Sequence, residues 1–146
     1  MDITVDKIIK RESPLTINEN AKAREAIGVM ARENVGLLVI VDNAGKPVGV
    51  ISERDVVKAL ARGIDLNAKV SEIGTMGKII SVSPHDSIYK AAILMNNNNV
   101  RHLVVMDGDK LRGVISIRDI INEERVVSRL AEAAGAKPET EIPGGD

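Results

Sequence analysis

The chain has no cysteine, no tryptophan, no phenylalanine and one tyrosine, Tyr89. Without cysteine there is no thiol nucleophile, no disulfide and no thiolate metal site, which fits a reducing compartment. Without aromatic rings there is no platform for stacking bases. A net charge of -1 and a pI near 6.1 supply no global basic field either, so nucleic acid is not an expected partner. No run approaches the roughly 18 consecutive apolar residues of a membrane span. Met1–Arg11 alternates charges with isolated isoleucines where a signal peptide would be apolar. These absences predict a cytoplasmic protein with no membrane partner.

What the chain does have is aliphatic residues and a repeat. Its 146 residues are 44% hydrophobic, carried by Ile, Val, Leu, Ala and Met, enough for one compact domain. Sliding the sequence by 65 positions lays the stretch from Thr16 over the stretch from Ser81. Ala26 then meets Ala91, Met30 meets Met95, Asn34-Val35 meets Asn99-Val100, and Asp42 meets Asp107. Beyond the next turn the offset is 64, and GVISERD at 49–55 falls on GVISIRD at 113–119.

Each repeat alternates strand and helix signals. Thr16-Ile17 and Ile79–Val82 read as short strands, and Asn20 and Asp86 as caps of helices near 21–33 and 87–98. Ala23, Ile27, Met30 and Ala31, like Ile88, Ala91, Ala92 and Met95, recur at helical spacing and predict buried faces. The runs 37–41 and 102–106 are continuous apolar strands, each followed by a turn and a returning strand, 48–51 or 111–115. A last helix is expected from Ile117 to about 134, and Asn96–Asn99 reads as a helix end. A unit of roughly 60 residues buries too little surface alone, so the repeats should share one module through a pseudo-twofold contact. The predicted organisation is a single module over 1–134, with repeat one near 5–61, a linker at 62–69 and repeat two near 70–124. A disordered tail is expected over 135–146. The fold class is α/β (α+β), each repeat a small mixed sheet packed with helices.

The paired pattern G-h-h-[ST]-x-x-D, with h apolar, resembles the cystathionine-β-synthase (CBS) domain family. The likeness covers roughly residues 5–124, and two copies at matching places carry it. The chain departs from the family at Val39 and Val104, where proline is common, and at Ile9 and Gly74, where methionine is. These positions bear on packing. The resemblance implies a sensor of adenosine-containing ligands, AMP, ADP, ATP or S-adenosylmethionine, with no required cofactor. It also implies a homodimer and a regulated protein partner reached in trans.

Ser52 and Ser116 stand where a strand hands over to a helix, with Asp55 and Asp119 three residues on. That spacing by itself is also a capping box. The resemblance adds a second role, in which the aspartate accepts from a ribose diol while the hydroxyl and helix N–H groups face phosphate. Arg54 and Arg118 place guanidinium groups beside those helix starts, where phosphate is already favoured, although such residues are often simply solvated. Arg101 and His102 open the second repeat's central strand where the first has Gly36 and Leu37, so the repeats are unequal there. The resemblance borders the cleft with that loop. The other reading of His102 is a hydrogen-bonded, partly buried ring. By the same resemblance Leu15-Thr16 and Ile80-Ser81 would read a purine through backbone groups.

The competing classes are an enzyme, a protein-interaction module with vacant clefts, and a nucleic-acid binder. The sequence carries no G-x-S-x-G, H-E-x-x-H or P-loop pattern, and its two histidines are far apart. Asp55 and Asp119 could approach across the pseudo-twofold, but their repeat placement favours two equivalent binding positions over one catalytic pair. The expectation is therefore a protein that is not an enzyme. The retained Ser-x-Arg-Asp sets argue against a pure interaction module, and Arg24, Lys58, Arg62 and Arg112 are too scattered for a basic face.

Overall fold

The two continuous apolar runs become the centres of two sheets in the computed structural model, which describes residues 3–135. Leu37–Val41 (β2) and His102–Asp107 (β6) bury Leu38, Val39 and Ile40 and Leu103, Val104 and Val105 almost completely. Each pairs in parallel with the short strand that opens its repeat, Thr16–Asn18 (β1) or Ser81–Val82 (β5). On its other side each pairs antiparallel with the returning hairpin arm, Pro47–Ser52 (β3) or Lys110–Ser116 (β7). The crossovers are α1, Ala23–Glu33, and α4, Ile88–Asn98. They bury Ala23, Ala26 and Met30, and Ile88, Ala91 and Met95, stripes at i, i+3 and i+7. Both end on an asparagine in the left-handed region, Asn34 at φ 54 and Asn99 at φ 52, as the asparagine run suggested for the second. The hairpin turns explain the change of offset. Residues 42–46 close the first, with Asp42 Oδ1 accepting from the N–H groups of Ala44 and Lys46, whereas Asp107 pairs directly with Lys110 in the second.

Three local readings change. The caps of α1 and α4 are Lys22 and Ser87, not Asn20 and Asp86. Asn20 gives its N–H to Asn18 Oδ1, and the first N–H groups of α1, from Ala23 and Arg24, go to the carbonyls of Ala68 and Leu66. Asp86 is already engaged, accepting from Ser83 N–H and pairing with Lys90. The strand expected over 79–82 is only Ser81–Val82. The last helix is two: α5, Ile117–Ile121, and α6, Glu124–Ala133. Glu123 starts a new helix, its carboxylate accepting from the N–H groups of Arg125 and Val126. Arg129 then donates to the Tyr89 hydroxyl at 2.7 Å and lies 5.5 Å from the ring centroid, fastening α6 to α4. Of the tail expected over 135–146, residues 136–146 lie outside the described residues.

The packed halves are not the sequence repeats. Helix α2 (Glu53–Ala61) follows the first hairpin, then α3 (Val70–Ile73) and β4 (Thr75–Met76) open the second repeat. Yet β4 pairs with β3, giving the sheet order β1-β2-β3-β4, and Val70 and Ile73 complete the core of Ile17, Leu38, Ile40 and Ile51. Reciprocally, Ile3, Val5 and Ile8, around the 3-10 turn Val5–Lys7, complete the core of Ile88, Leu103, Val105 and Ile115 beneath the sheet β5-β6-β7. Matching backbone bonds hold the exchange: Val70 N–H to Ala21 O, and Val5 N–H to Asp86 O, both 2.8 Å. Gly49 makes room for β4, because a Cβ there would stand 2.5 Å from the Thr75 carbonyl oxygen.

Candidate functional site

Strands β3 and β7 leave their sheets at Ser52 and Ser116, and at each the capping box forms in full. Ser52 Oγ accepts from Asp55 N–H at 3.2 Å while Asp55 Oδ2 accepts from Ser52 N–H at 2.9 Å. The second box repeats this at 3.1 and 2.8 Å. The boxes use only Oδ2. A carboxylate has two acceptor oxygens, so Oδ1 remains to face outward, and capping and ligand binding need not compete for one atom. At Asp55, Oδ1 takes a long contact of 3.4 Å from the Thr75 hydroxyl; at Asp119 it pairs with Lys10 Nζ at 3.1 Å.

Asp55 faces a cleft of about 510 Å³ between the two halves, within the range of small-molecule sites. Ser52, Arg54 and Asp55 form one side; Thr75 and Ile80, from the start of the second repeat, form another. Val50, Val104 and Ile80 supply apolar surface, and Lys58 and Lys78 bring ammonium groups. The structure thus gathers Ser52, Arg54, Asp55, Ile80, Arg101 and His102 around one space. Ser81, next to Ile80, is not in the lining. Ser116, Arg118 and Asp119 occupy the counterpart position under the pseudo-twofold, with Leu15 and Thr16 the sequence counterparts of Ile80 and Ser81.

Arg101 and His102 open β6 beside the second repeat's own motif, with His102 paired to Ser116 and the Arg101 carbonyl accepting from Ile117 N–H, and they also line the cleft that holds Asp55. The unequal positions pack on each other: Gly36 lacks a side chain, and a Cβ there would lie 3.2 Å from His102 Cε1. Burial pushes the His102 pKa below its ordinary 6.5, against the pull of the Asp119 and Glu53 carboxylates and aided by Arg101. The ring is therefore neutral at pH 7, a hydrogen-bonding group and not a cation for phosphate. Arg54 gives one N–H to the carbonyl of Asn99 at 3.0 Å, tying α2 to the end of α4 across the halves. Its remaining donors still border the cleft. The sequence reading passed over Thr75, Lys78 and Lys10, and weighed Lys58 only as part of a basic face. Lys10 and Thr75 stand 65 residues apart, so extending the self-alignment toward the N-terminus would have matched them. Among the described residues no group of three or more His, Asp or Glu is placed to hold a metal, and no helix is long and apolar enough to cross a membrane.

The CBS domain profile matches residues 5–62 and 70–125. A CBS domain protein from Pyrobaculum aerophilum, complexed with AMP, is 34% identical; the likeness covers 89% of this chain and 99% of that one with a TM-score of 0.80. The CBS domain pair of protein MJ0100, in complex with 5'-methylthioadenosine and S-adenosyl-L-methionine, is 28% identical over 92% of this chain and 99% of that one, with a TM-score of 0.76. An uncharacterized 33.4 kDa protein of Thermofilum pendens is 32% identical over 83% of this chain, which spans 41% of that relative's length. Two profile matches, two small mixed sheets and two complete Ser-x-x-Asp boxes coincide, and the chain belongs to the CBS-domain family as a tandem pair of its repeats.

Proposed function

We propose that this chain is a regulatory module that binds an adenosine-containing ligand, AMP, ADP, ATP or S-adenosylmethionine, and acts in trans on a protein partner without catalysing a reaction. The observation that carries the reading is the division of labour at Asp55: Oδ2 holds the helix cap, and Oδ1 is presented to a cleft of nucleoside size. A ribose diol on Oδ1 would leave the base against Ile80, Val50 and Val104. A phosphate would reach the start of α2, Arg54, Lys58 or Lys78, where N–H groups and cations coincide. The relatives crystallised with AMP and with S-adenosylmethionine support the same class of ligand. No required cofactor enters this reading, and its setting is the cytoplasm.

A homodimer belongs to the same reading. Val57 and Leu60 on α2 are 64% and 54% exposed, with Ile121 on α5 at 44%, apolar surface that a second copy would cover. A thermal-shift panel of adenosine, AMP, ADP, ATP and S-adenosylmethionine, followed by calorimetric titration, tests the ligand. Stabilisation by at least one adenosyl compound and not by guanosine compounds is expected. No shift with any of them would leave the interaction-module reading standing instead.

A further inference from the structure

The two capping boxes use the same oxygen and differ in what meets the other one. Asp55 Oδ1 meets a threonine hydroxyl; Asp119 Oδ1 meets the Lys10 ammonium. Thr75 and Lys10 hold the same place in the two repeats, 65 residues apart, and the same exchange of segments between repeats carries each to the other repeat's aspartate. The partners are chemically unlike. A hydroxyl is neutral and rotates between donating and accepting, so it yields to a ribose hydroxyl at little cost. An ammonium has three donors, no acceptor and a full charge, and it satisfies the oxygen a diol would use. The Lys10 side chain is 68% exposed and that of Asp119 is 16% exposed, so the pair closes the carboxylate from the solvent side and stays displaceable.

We infer that Lys10 is an internal competitor for ligand at Asp119, which makes the two positions of the pair unequal: ribose binds readily at Asp55, and at Asp119 only by displacing the ammonium. The inference rests on the reading that these aspartates hold a ribose. A lysine that instead recruits phosphate would give the opposite sign, so the probe must be neutral.

Adenosine is that probe. Calorimetric titration into Asp119→Asn reads the Asp55 position alone, and titration into Asp55→Asn reads the Asp119 position. Binding at Asp119 is expected to be weaker, and adding Lys10→Thr to Asp55→Asn should tighten it by roughly two- to fivefold, the worth of an exposed pair. Adding Thr75→Lys to Asp119→Asn should weaken the other position by a similar factor. Raising salt should tighten the Asp119 position in the chain that keeps Lys10 and leave the Lys10→Thr chain unmoved, because salt screens an exposed pair. Lys10 is exposed, so the variant should fold, and the salt series needs no substitution of it. Binding at Asp55 with no gain at Asp119 from Lys10→Thr, or a loss, overturns the inference and spares the ribose reading. No adenosine binding in any variant overturns both.

Discussion

Asp55 and Asp119 cap their helices, and in the proposed function they also hold the ligand; single substitutions can separate the two roles. Asn at 55 keeps an oxygen to accept Ser52 N–H but turns the outward atom into a donor. Asp55→Asn should therefore melt close to the parent, within about 0.5 kcal/mol, while adenosyl affinity falls by about 1.5–3 kcal/mol, the worth of a hydrogen bond to a charged group. Asp55→Ala should lose the affinity and about 1 kcal/mol of cap as well. Melting curves beside calorimetric titrations separate these outcomes; unchanged affinity in both variants would reduce Asp55 to a cap. His102 makes a second prediction at this scale. Its folded-state pKa lies below 6.5, so the unfolded chain takes up a proton first as pH falls. The stability tied to the neutral ring is complete above about pH 6.5 and is lost as pH drops below it. Asp6 and Asp86, whose pKa values are lowered from 3.8, act only in more acid solution. Thermal melts should fall between pH 6.5 and 4.5 in the parent and flatten in His102→Gln; parallel curves would contradict the assignment. The identities of these residues were legible from the motif. The environment of His102 was not, because it depends on Gly36 from the other repeat.

At the level of elements, periodicity read the two long crossover helices and the paired strands, because each buries a regular stripe or a continuous run. It missed the break at Asn122-Glu123. No glycine or proline interrupts Ile117–Ala134, and nothing local marks Glu123 as a residue that will cap a second helix. It also missed β4, two residues whose pairing is dictated by tertiary contact with β3 and not by their own pattern. The repeat's glycines give a test of that contact. Gly49→Ala drives a methyl group to 2.5 Å from the Thr75 carbonyl, a backbone atom that cannot yield alone, so β4 must shift and Thr75 with it. A cost of about 1–3 kcal/mol is expected in denaturant unfolding. Gly113→Ala meets only the Ile9 side chain, at 3.1 Å, and should cost less. Equal costs would argue that β4 is not held as described.

Across the whole molecule, self-alignment shows which residues are equivalent but not which copy they pack with. The exchange of opening segments was therefore invisible in the sequence, although size alone led to the expectation that neither repeat closes by itself. The exchange predicts the behaviour of fragments. Residues 13–78 enclose the first half's core with Val70, Ile73 and β4, whereas 5–62 carries Val5 without its partners and omits Val70 and Ile73. Circular dichroism should show more ordered structure and steeper unfolding for 13–78; a better-folded 5–62 would mean that each repeat closes on itself. The same exchange sets Thr75 and Ile80, residues of the second repeat, around the first repeat's aspartate, so the proposed binding site is built by the pair and not by either copy. The most direct measurement is a crystal structure of the chain grown with AMP. The ribose diol is expected within hydrogen-bonding distance of Asp55 Oδ1, with the adenine against Ile80. AMP bound elsewhere, or a cleft without nucleotide at millimolar AMP, would contradict the assignment.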